Sequence, residues 1–180
     1  MKKVKIGEKA PDFSLLNTSR ENINLSHFKN KSLIIVFTRY VGCPVCQVDT
    51  AQYAKDYSLV KEASMELLVV FQSEVSVLAD FKEKELLPYV ALSDVARSSY
   101  EAYGVESGIK GFLSSKNISP LINSFKAGKR HGRFEGNEFQ YPAVFALDEE
   151  HRIIFSHYGE YIADSLKIPD VIRNLPEKGP

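Results

Sequence analysis

The sequence predicts an α/β domain with a central mixed sheet flanked by helices. Three observations predict it: apolar runs typical of buried strands recur, helical segments separate them, and a two-stranded hairpin follows near the end. Alternating strands and helices form a mostly parallel sheet, to which a hairpin adds an antiparallel edge. The 180 residues suit a single domain, 1–180, with a core large enough to need no disulfides.

The first elements lead to the two cysteines. Residues 10–15 and 23–25 predict two short strands joined by a turn. The run 33–38 is apolar and largely β-branched or aromatic, which indicates a buried central strand. Residues 44–63 carry a modest apolar stripe and begin with proline, so they predict a helix.

The middle of the chain continues the alternation. Residues 66–71 predict a second buried strand, after which Ser73 is expected to cap a helix. Residues 89–92 predict a short strand. Asp94 then caps a helix that ends at Gly104.

The last predicted elements are a hairpin and a helix. Residues 143–147 and 152–157 predict the two strands of the hairpin, and 169–175 predict the closing helix. The segment 105–139 fits the alternation least well, and we expect it to contain two short helices. It includes the basic run 126–133, which is interpreted either as a solvated loop or as an anion or partner site beside the active centre.

The only two cysteines, Cys43 and Cys46, stand three positions apart at the predicted strand–helix junction. A redox dithiol, half of a zinc site and coincidence are the three interpretations. A second Cys-x-x-Cys and paired histidines are both missing, which disfavours a metal site. Residues three apart share a helix face, and a helix N-terminus stabilises a thiolate. The pattern therefore favours a redox dithiol that needs no cofactor.

Charge and composition exclude some partners. The 23 basic residues balance 23 acidic residues, so no overall charge attracts nucleic acid or an anionic membrane. The basic first residues are not followed by the apolar stretch of a signal peptide. We therefore expect a cytoplasmic protein with neither a nucleic-acid nor a membrane partner.

Several stretches resemble one known family. They are 7–15 (GEKAPDFSL), 25–28 (LSHF), 92–94 (LSD), 103–105 (YGV) and 39–46 (RYVGCPVC). Together they resemble the peroxiredoxin-like (AhpC/TSA) branch of the thioredoxin-fold superfamily, in the subset with a Cys-Pro-x-Cys dithiol. The resemblance covers nearly the whole chain, and the insertion at about 105–139 is typical of that subset.

The resemblance implies a thioredoxin-like fold and a thiol peroxidase. In that role Cys43 would attack a hydroperoxide and become a sulfenic acid, and Cys46 would resolve it as a disulfide. A dithiol reductant such as a thioredoxin system would then restore the thiols. Members of this family are often homodimers, although no residue here identifies an interface.

The resemblance also implies a proline that faces the dithiol. Thioredoxin-fold proteins have a cis-proline before the hairpin strand, and Pro142 occupies that place. We expect a cis peptide bond between Tyr141 and Pro142 and a contact between Pro142 and the substrate. A trans proline that merely begins a strand is the alternative.

The sequence departs from the peroxiredoxin motif Pro-x-x-x-Thr-x-x-Cys. Val36 and Tyr40 stand where the motif has Pro and Thr, so the hydroxyl that aligns peroxide would have to come from Tyr40 or Thr38. Arg39 is expected to stabilise the Cys43 thiolate or to bind a peroxide oxygen. Alternatively, Arg39 is an exposed loop residue paired with an acid.

Three functions remain open at this point. The family resemblance favours a peroxidase that reduces hydroperoxides. The Cys-x-x-Cys pair and the absent Thr favour a thiol–disulfide oxidoreductase acting on protein or small-molecule disulfides. A non-catalytic redox-sensing module, with 105–139 as its partner surface, is the third.

Overall fold

The computed structural model describes residues 2–176. They form a seven-stranded sheet with the strand order β2-β1-β5-β4-β3-β6-β7. The strands are β1 (Leu15–Asn17), β2 (Asn22–Ile23), β3 (Ser32–Phe37), β4 (Met65–Phe71), β5 (Val90–Ser93), β6 (Ala143–Leu147) and β7 (Ile153–Tyr158). The α-helices are α1 (Pro44–Lys55), α2 (Tyr57–Glu62), α3 (Val75–Lys84), α4 (Ser98–Ala102), α5 (Ile109–Phe112), α6 (Ile118–Lys126) and α7 (Ile168–Arg173).

The sheet has a parallel centre and antiparallel edges. Strand β3 pairs in parallel with β4, and β4 pairs in parallel with β5. On its other side β3 pairs antiparallel with β6, and β6 with β7 in the predicted hairpin. Strand β1 joins the opposite edge antiparallel to β5. The predicted mixed α/β architecture is confirmed.

Strand β3 is buried on both faces, which explains its continuous apolar sequence. Leu33, Ile35 and Phe37 pack into the core on one face of the sheet. Ile34 and Val36 pack into the core on the other face. Strand β3 is packed on both faces and paired with a strand along each edge. It therefore gives the cysteine loop that follows it a rigid base.

The structure corrects the predicted bounds of two elements. Residues 10–14 are not part of a strand, and β1 begins only at Leu15. The single helix expected over 44–63 is two helices, with Asp56 at the break between α1 and α2. The Gln52 side chain donates to the Asp56 carboxylate at 2.9 Å across this junction.

Ser73 was expected to cap a helix, and that expectation is wrong. The residue at the N-cap position of α3 is Glu74. The Ser73 hydroxyl instead accepts a hydrogen bond from the Val41 amide at 3.0 Å and donates to Glu135 at 2.6 Å. It therefore supports the cysteine loop rather than the helix.

The segment between α4 and β6 contains the expected short helices. Helices α5 and α6 are joined by a 3-10 turn, Ser115–Asn117, and α6 packs beside α1. The chain then runs without regular structure back towards β6. Within residues 2–176, no helix is both long and apolar enough to span a bilayer.

Candidate functional site

Cys43 occupies the N-cap position of α1, at the strand–helix junction that the sequence predicts. Pro44 follows it as the first helical residue, where its missing N–H costs no hydrogen bond. The Cys43 sulfur accepts a hydrogen bond from the Cys46 amide at 3.1 Å. Both thiols are free, and their exposures are only 0% for Cys43 and 4% for Cys46.

Arg39 contacts this sulfur directly. Its Nη2 lies 2.8 Å from Cys43 Sγ, and the residue is buried. A charged donor this close to sulfur stabilises a thiolate. The interpretation of Arg39 as an exposed loop residue is therefore wrong, although it does pair with an acid.

That acid is Glu138, which lies in the chain segment after α6. Arg39 Nη1 donates to the Glu138 backbone carbonyl at 2.9 Å and lies 3.4 Å from its carboxylate Oε2. The Tyr40 hydroxyl donates to the same carboxylate and lies 3.0 Å from His131 Nε2. Glu138 thus fixes the side of the guanidinium that faces away from sulfur.

A single stretch of chain makes most of these contacts, and we call residues 130–138 the strap. The Gly132 amide donates to the Gly42 carbonyl at 2.8 Å. The Asn137 amide donates to the Gln72 side chain at 2.7 Å. A Cβ atom on Gly42 would collide with the Arg133 carbonyl, so this close approach of two backbones requires glycine.

The two thiols titrate as one pair rather than independently. Burial raises the pKa of the Cys43 thiol, and its interaction with Cys46 raises it further. Burial also opposes ionisation of Cys46, but the hydrogen bond with Cys43 and the charge of Arg39 lower its pKa to about 5. Near neutral pH the pair therefore carries one negative charge and one proton. The Arg39 and Cys46 donors at Cys43 favour placing that charge on Cys43.

Asp49 is a functional candidate that the sequence interpretation missed. It lies on α1 one turn after Cys46. Burial raises the pKa of its carboxyl group, and its interaction with Cys46, a member of the negatively charged thiol pair, raises it further, against the opposing effect of Arg39 and Lys167. The residue keeps some exposed surface even though its carboxyl group is enclosed. The i, i+3 spacing from Cys46 was the available signal.

The other predicted site residues take different places. Thr38 is buried, and its side chain lowers the pKa of Cys46 by hydrogen bonding. The Tyr40 hydroxyl is directed to Glu138 and His131. Burial and the Glu138 hydrogen bond raise the pKa of Tyr40, so the phenol stays protonated.

The expectation of a cis bond before Pro142 is wrong, because no peptide bond within residues 2–176 is cis. The trans form is the lower in energy unless tertiary contacts demand otherwise. Here Pro142 precedes β6 directly, and its carbonyl accepts a hydrogen bond from the Gly159 amide at 2.9 Å. It therefore starts a strand, which was the alternative interpretation.

A groove of about 550 Å³ opens beside the dithiol. Its lining combines apolar residues of the insertion with residues at or in contact with the cysteine loop, namely Arg39, Pro44, Val45, His131 and Glu138. Its size and its few convergent polar groups are typical of a small-molecule site. Within the described residues, no group of three His, Cys, Asp or Glu side chains could hold a metal ion.

The sheet and the two cysteines at the start of α1 define a thioredoxin-fold protein with two buried thiols. The family model described as the AhpC/TSA family matches residues 6–156. The chain belongs to this family, which confirms the resemblance found in its sequence.

Curated relatives and solved structures agree with this assignment. Peroxiredoxin Bcp of Escherichia coli is 31% identical over 113 residues, which are 63% of this chain and 72% of that protein. Chloroplastic peroxiredoxin Q of Suaeda salsa is 30% identical over 66% of this chain, and the match spans only 56% of that protein's length. A peroxiredoxin-like protein from Aquifex aeolicus superposes with a TM-score of 0.71 at 16% identity, covering 96% of this chain and 86% of that one.

Proposed function

We propose that the protein is a thiol-dependent peroxidase that reduces hydroperoxides at Cys43. The observation that carries the proposal is the convergence of the Arg39 guanidinium and the Cys46 amide on the Cys43 sulfur, at 2.8 and 3.1 Å. Two relatives named as peroxiredoxins and the matching family model support it.

The ionisation of the pair suits this reaction. The Cys43 thiolate attacks the terminal oxygen of the hydroperoxide, the O–O bond breaks, and Cys43 becomes a sulfenic acid. The alkoxide or hydroxide that leaves takes up a proton, and the proton held by the thiol pair is the nearest source. Lowering a thiol pKa alone gains little rate, because nucleophilicity falls with pKa. Arg39 therefore contributes chiefly by stabilising charge that develops on the peroxide oxygen.

In this proposal Cys46 then resolves the sulfenic acid. Its sulfur, a thiolate once it has given up that proton, attacks the Cys43 sulfur. The S–O bond breaks, an S–S bond forms, and the hydroxide that leaves becomes water by taking a proton from solvent or from the carboxyl group of Asp49. Because the two cysteines lie within one helical turn, the disulfide can form without moving another element. A dithiol reductant of the thioredoxin type would complete the cycle. Homodimer formation and a cytoplasmic location remain predictions.

Thiol–disulfide exchange is the second candidate function. The observation that favours it is that the Tyr40 hydroxyl, at the position of the missing motif Thr, is engaged with Glu138 and His131. That leaves Arg39 as the principal charged donor for a peroxide, whereas exchange with a disulfide needs only the nucleophilic sulfur and a leaving thiol.

A paired assay separates the two functions. Reduced protein is mixed with stoichiometric hydroperoxide, oxidised and reduced protein are tested on a disulfide substrate, and thiols are counted in both. Fast oxidation by hydroperoxide supports the peroxidase. Slow oxidation by every hydroperoxide together with fast disulfide exchange would reject it. A sensor without catalytic function would oxidise once and show no multiple turnover with any reductant.

Two cysteine variants identify the nucleophile. Cys46→Ser should trap Cys43 as a sulfenic acid, which a dimedone adduct at Cys43 would reveal by mass spectrometry. Cys43→Ser should be inert in both assays. An active Cys43→Ser variant would show that Cys46 is the nucleophile instead.

A further inference from the structure

Helix α6 presents its apolar face to the outside. Ile118, Leu121, Ile122 and Phe125 recur at the spacing of one helical face, and their exposed fractions are 59%, 40%, 47% and 52%. The buried residue of α6 is Ser124. A helix that packs on a core normally buries its apolar stripe instead. This face is therefore free to meet something outside the domain.

The exposed face continues beyond α6. Leu113 and Phe134 are 72% and 68% exposed, and they line the groove beside the dithiol together with Ile118 and Leu121. We call the following residues the apolar patch: Leu113, Ile118, Leu121, Ile122, Phe125 and Phe134. A contiguous exposed patch of this kind marks an interaction surface.

The stretch of chain that carries the apolar patch has charges of one sign. The stretch 109–134 contains four lysines and two arginines without a single Asp or Glu, although the whole chain has no net charge. Lys129 is paired with Glu85 at 2.9 Å. The other five cations of the stretch are exposed: Lys110, Lys116, Lys126, Arg130 and Arg133. The exposed part of this stretch is thus both apolar and basic.

We propose that the apolar patch docks the protein on an anionic lipid bilayer. Phenylalanine and aliphatic side chains beside lysines and arginines are the composition of an interfacial membrane surface. Protein interfaces are instead depleted in lysine. A symmetric contact between two copies would bring the same cations together, which disfavours a second copy as the occupant.

This proposal departs from the expectation of no membrane partner. That expectation followed from the balanced charge of the whole chain, whereas a bilayer meets only one surface. Because the apolar patch includes residues that line the groove, docking would turn the mouth of the groove towards the lipid. The proposal concerns binding and does not depend on the peroxidase assignment.

Vesicle binding tests the proposal directly. The chain contains no tryptophan, so Phe125→Trp introduces a single fluorescent reporter on α6. With phosphatidylcholine vesicles containing phosphatidylglycerol, its emission should shift to the blue and the protein should sediment with the vesicles. Pure phosphatidylcholine should give much weaker binding, and high salt should weaken binding to the anionic vesicles. Val95→Trp, a reporter at an exposed site outside the apolar patch, should show no shift.

Surface variants separate the contributions of charge and apolar contact. Lys126→Ala and Arg130→Ala should each lower the vesicle partition coefficient by about fivefold. The double variant Ile122→Ser, Phe125→Ser should no longer sediment with the anionic vesicles, a measurement that needs no tryptophan reporter. Ile6→Ser removes an exposed apolar residue elsewhere and should bind like the parent protein. Circular dichroism confirms that each variant is folded.

Three results would overturn the proposal. The first is a failure of the folded parent protein to bind anionic vesicles, which would leave an acidic protein as the remaining occupant. The second is equal binding to neutral and anionic vesicles. The third is a dimer in solution that becomes monomeric in the Ile122→Ser, Phe125→Ser variant, since the apolar patch would then be covered by a second copy.

Discussion

The guanidinium of Arg39 and the sulfur of Cys43 lie 2.8 Å apart with both residues buried. In such a site a charge is poorly screened, so each group strongly affects the ionisation of the other. Burial alone lowers the pKa of Arg39, but the negative charge shared by the thiol pair of Cys46 and Cys43 raises it above its ordinary value. The arginine therefore stays charged throughout the working pH range, and only the thiols titrate.

The first prediction concerns this arginine. Arg39→Met should raise the pKa of Cys46, which is about 5 in the parent protein, because the thiol pair loses the cation that stabilises its negative charge. At pH ~6 the thiolate fraction, and with it the alkylation rate, should fall by about tenfold or more. Ultraviolet thiolate absorbance against pH measures the shift directly. Arg39→Lys keeps the positive charge but loses the two-pronged guanidinium group. Its thiol pKa should therefore lie between those of the parent protein and of Arg39→Met. An unchanged titration curve would contradict the role.

The second prediction concerns Glu138. Glu138→Gln keeps the backbone carbonyl that Arg39 binds but removes the carboxylate 3.4 Å from Nη1. The guanidinium should become less well positioned, and peroxide reduction should slow by about two- to tenfold, less than for loss of Arg39. The pKa of the thiol pair should not rise, because Arg39 loses a neutralising partner and keeps its charge.

The combination of a slower reaction with no rise in thiol pKa identifies positioning. Glu135→Gln is the matched control, because Glu135 is in the same strap but binds Ser73. Equal losses of peroxide-reduction rate in the two variants would mean that any contact holding the strap in place has the same effect. A larger loss in Glu138→Gln assigns the effect to the Arg39 contact.

The third prediction concerns the approach of two backbones at Gly42. Gly42→Ala should push the strap away, because the added Cβ collides with the Arg133 carbonyl and backbone atoms cannot rotate aside. The hydrogen bond from Gly132 to Gly42 should weaken, and alkylation of the buried thiols should become faster at a pH where both proteins are fully in thiolate form. The melting temperature should fall by several degrees for a loss of ~1–2 kcal/mol. Unchanged alkylation and melting would show that the strap accommodates the methyl group.

The fourth prediction concerns Asp49. Its carboxyl group lies one helical turn from Cys46, and burial raises its pKa. Asp49→Asn removes an acid beside the thiol pair that can protonate the hydroxide leaving during resolution, so disulfide formation should slow by about tenfold or more. Formation of the sulfenic acid at Cys43 should change little. Rapid-quench mass spectrometry resolves the two steps, and an equal slowing of both would argue against a role confined to Cys46.

Contacts between neighbours in sequence were predictable, and distant ones were not. The placement of Cys43 at the start of α1 follows from a buried strand, a short loop and a proline, all within a dozen residues. The approach of Arg39 to Cys43 spans only four positions. Glu138 is 99 residues from Arg39, and no periodicity or motif in the sequence links the two.

The errors have the same origin. The bond before Pro142 was assigned from a resemblance, but the isomer of an X–Pro bond is decided by the tertiary contacts around it. Ser73 has the residue type of a helix cap, yet the cysteine loop and Glu135 compete for its hydroxyl. The outward apolar face of α6 was readable as a helical pattern, but which side of that helix meets the core is not encoded in its spacing.

The strap has a consequence for how the protein acquires its chemistry during synthesis. Arg39 reaches Cys43 within the first quarter of the chain, but Glu138 and Gly132 must be made before the loop is fully held. Closing so long a loop costs entropy that is recovered only when the intervening strands have paired. A growing chain therefore carries two cysteines in a loose loop, where their reactivity is that of ordinary thiols. The reactive pair comes into being late, once the rest of the domain can shield it.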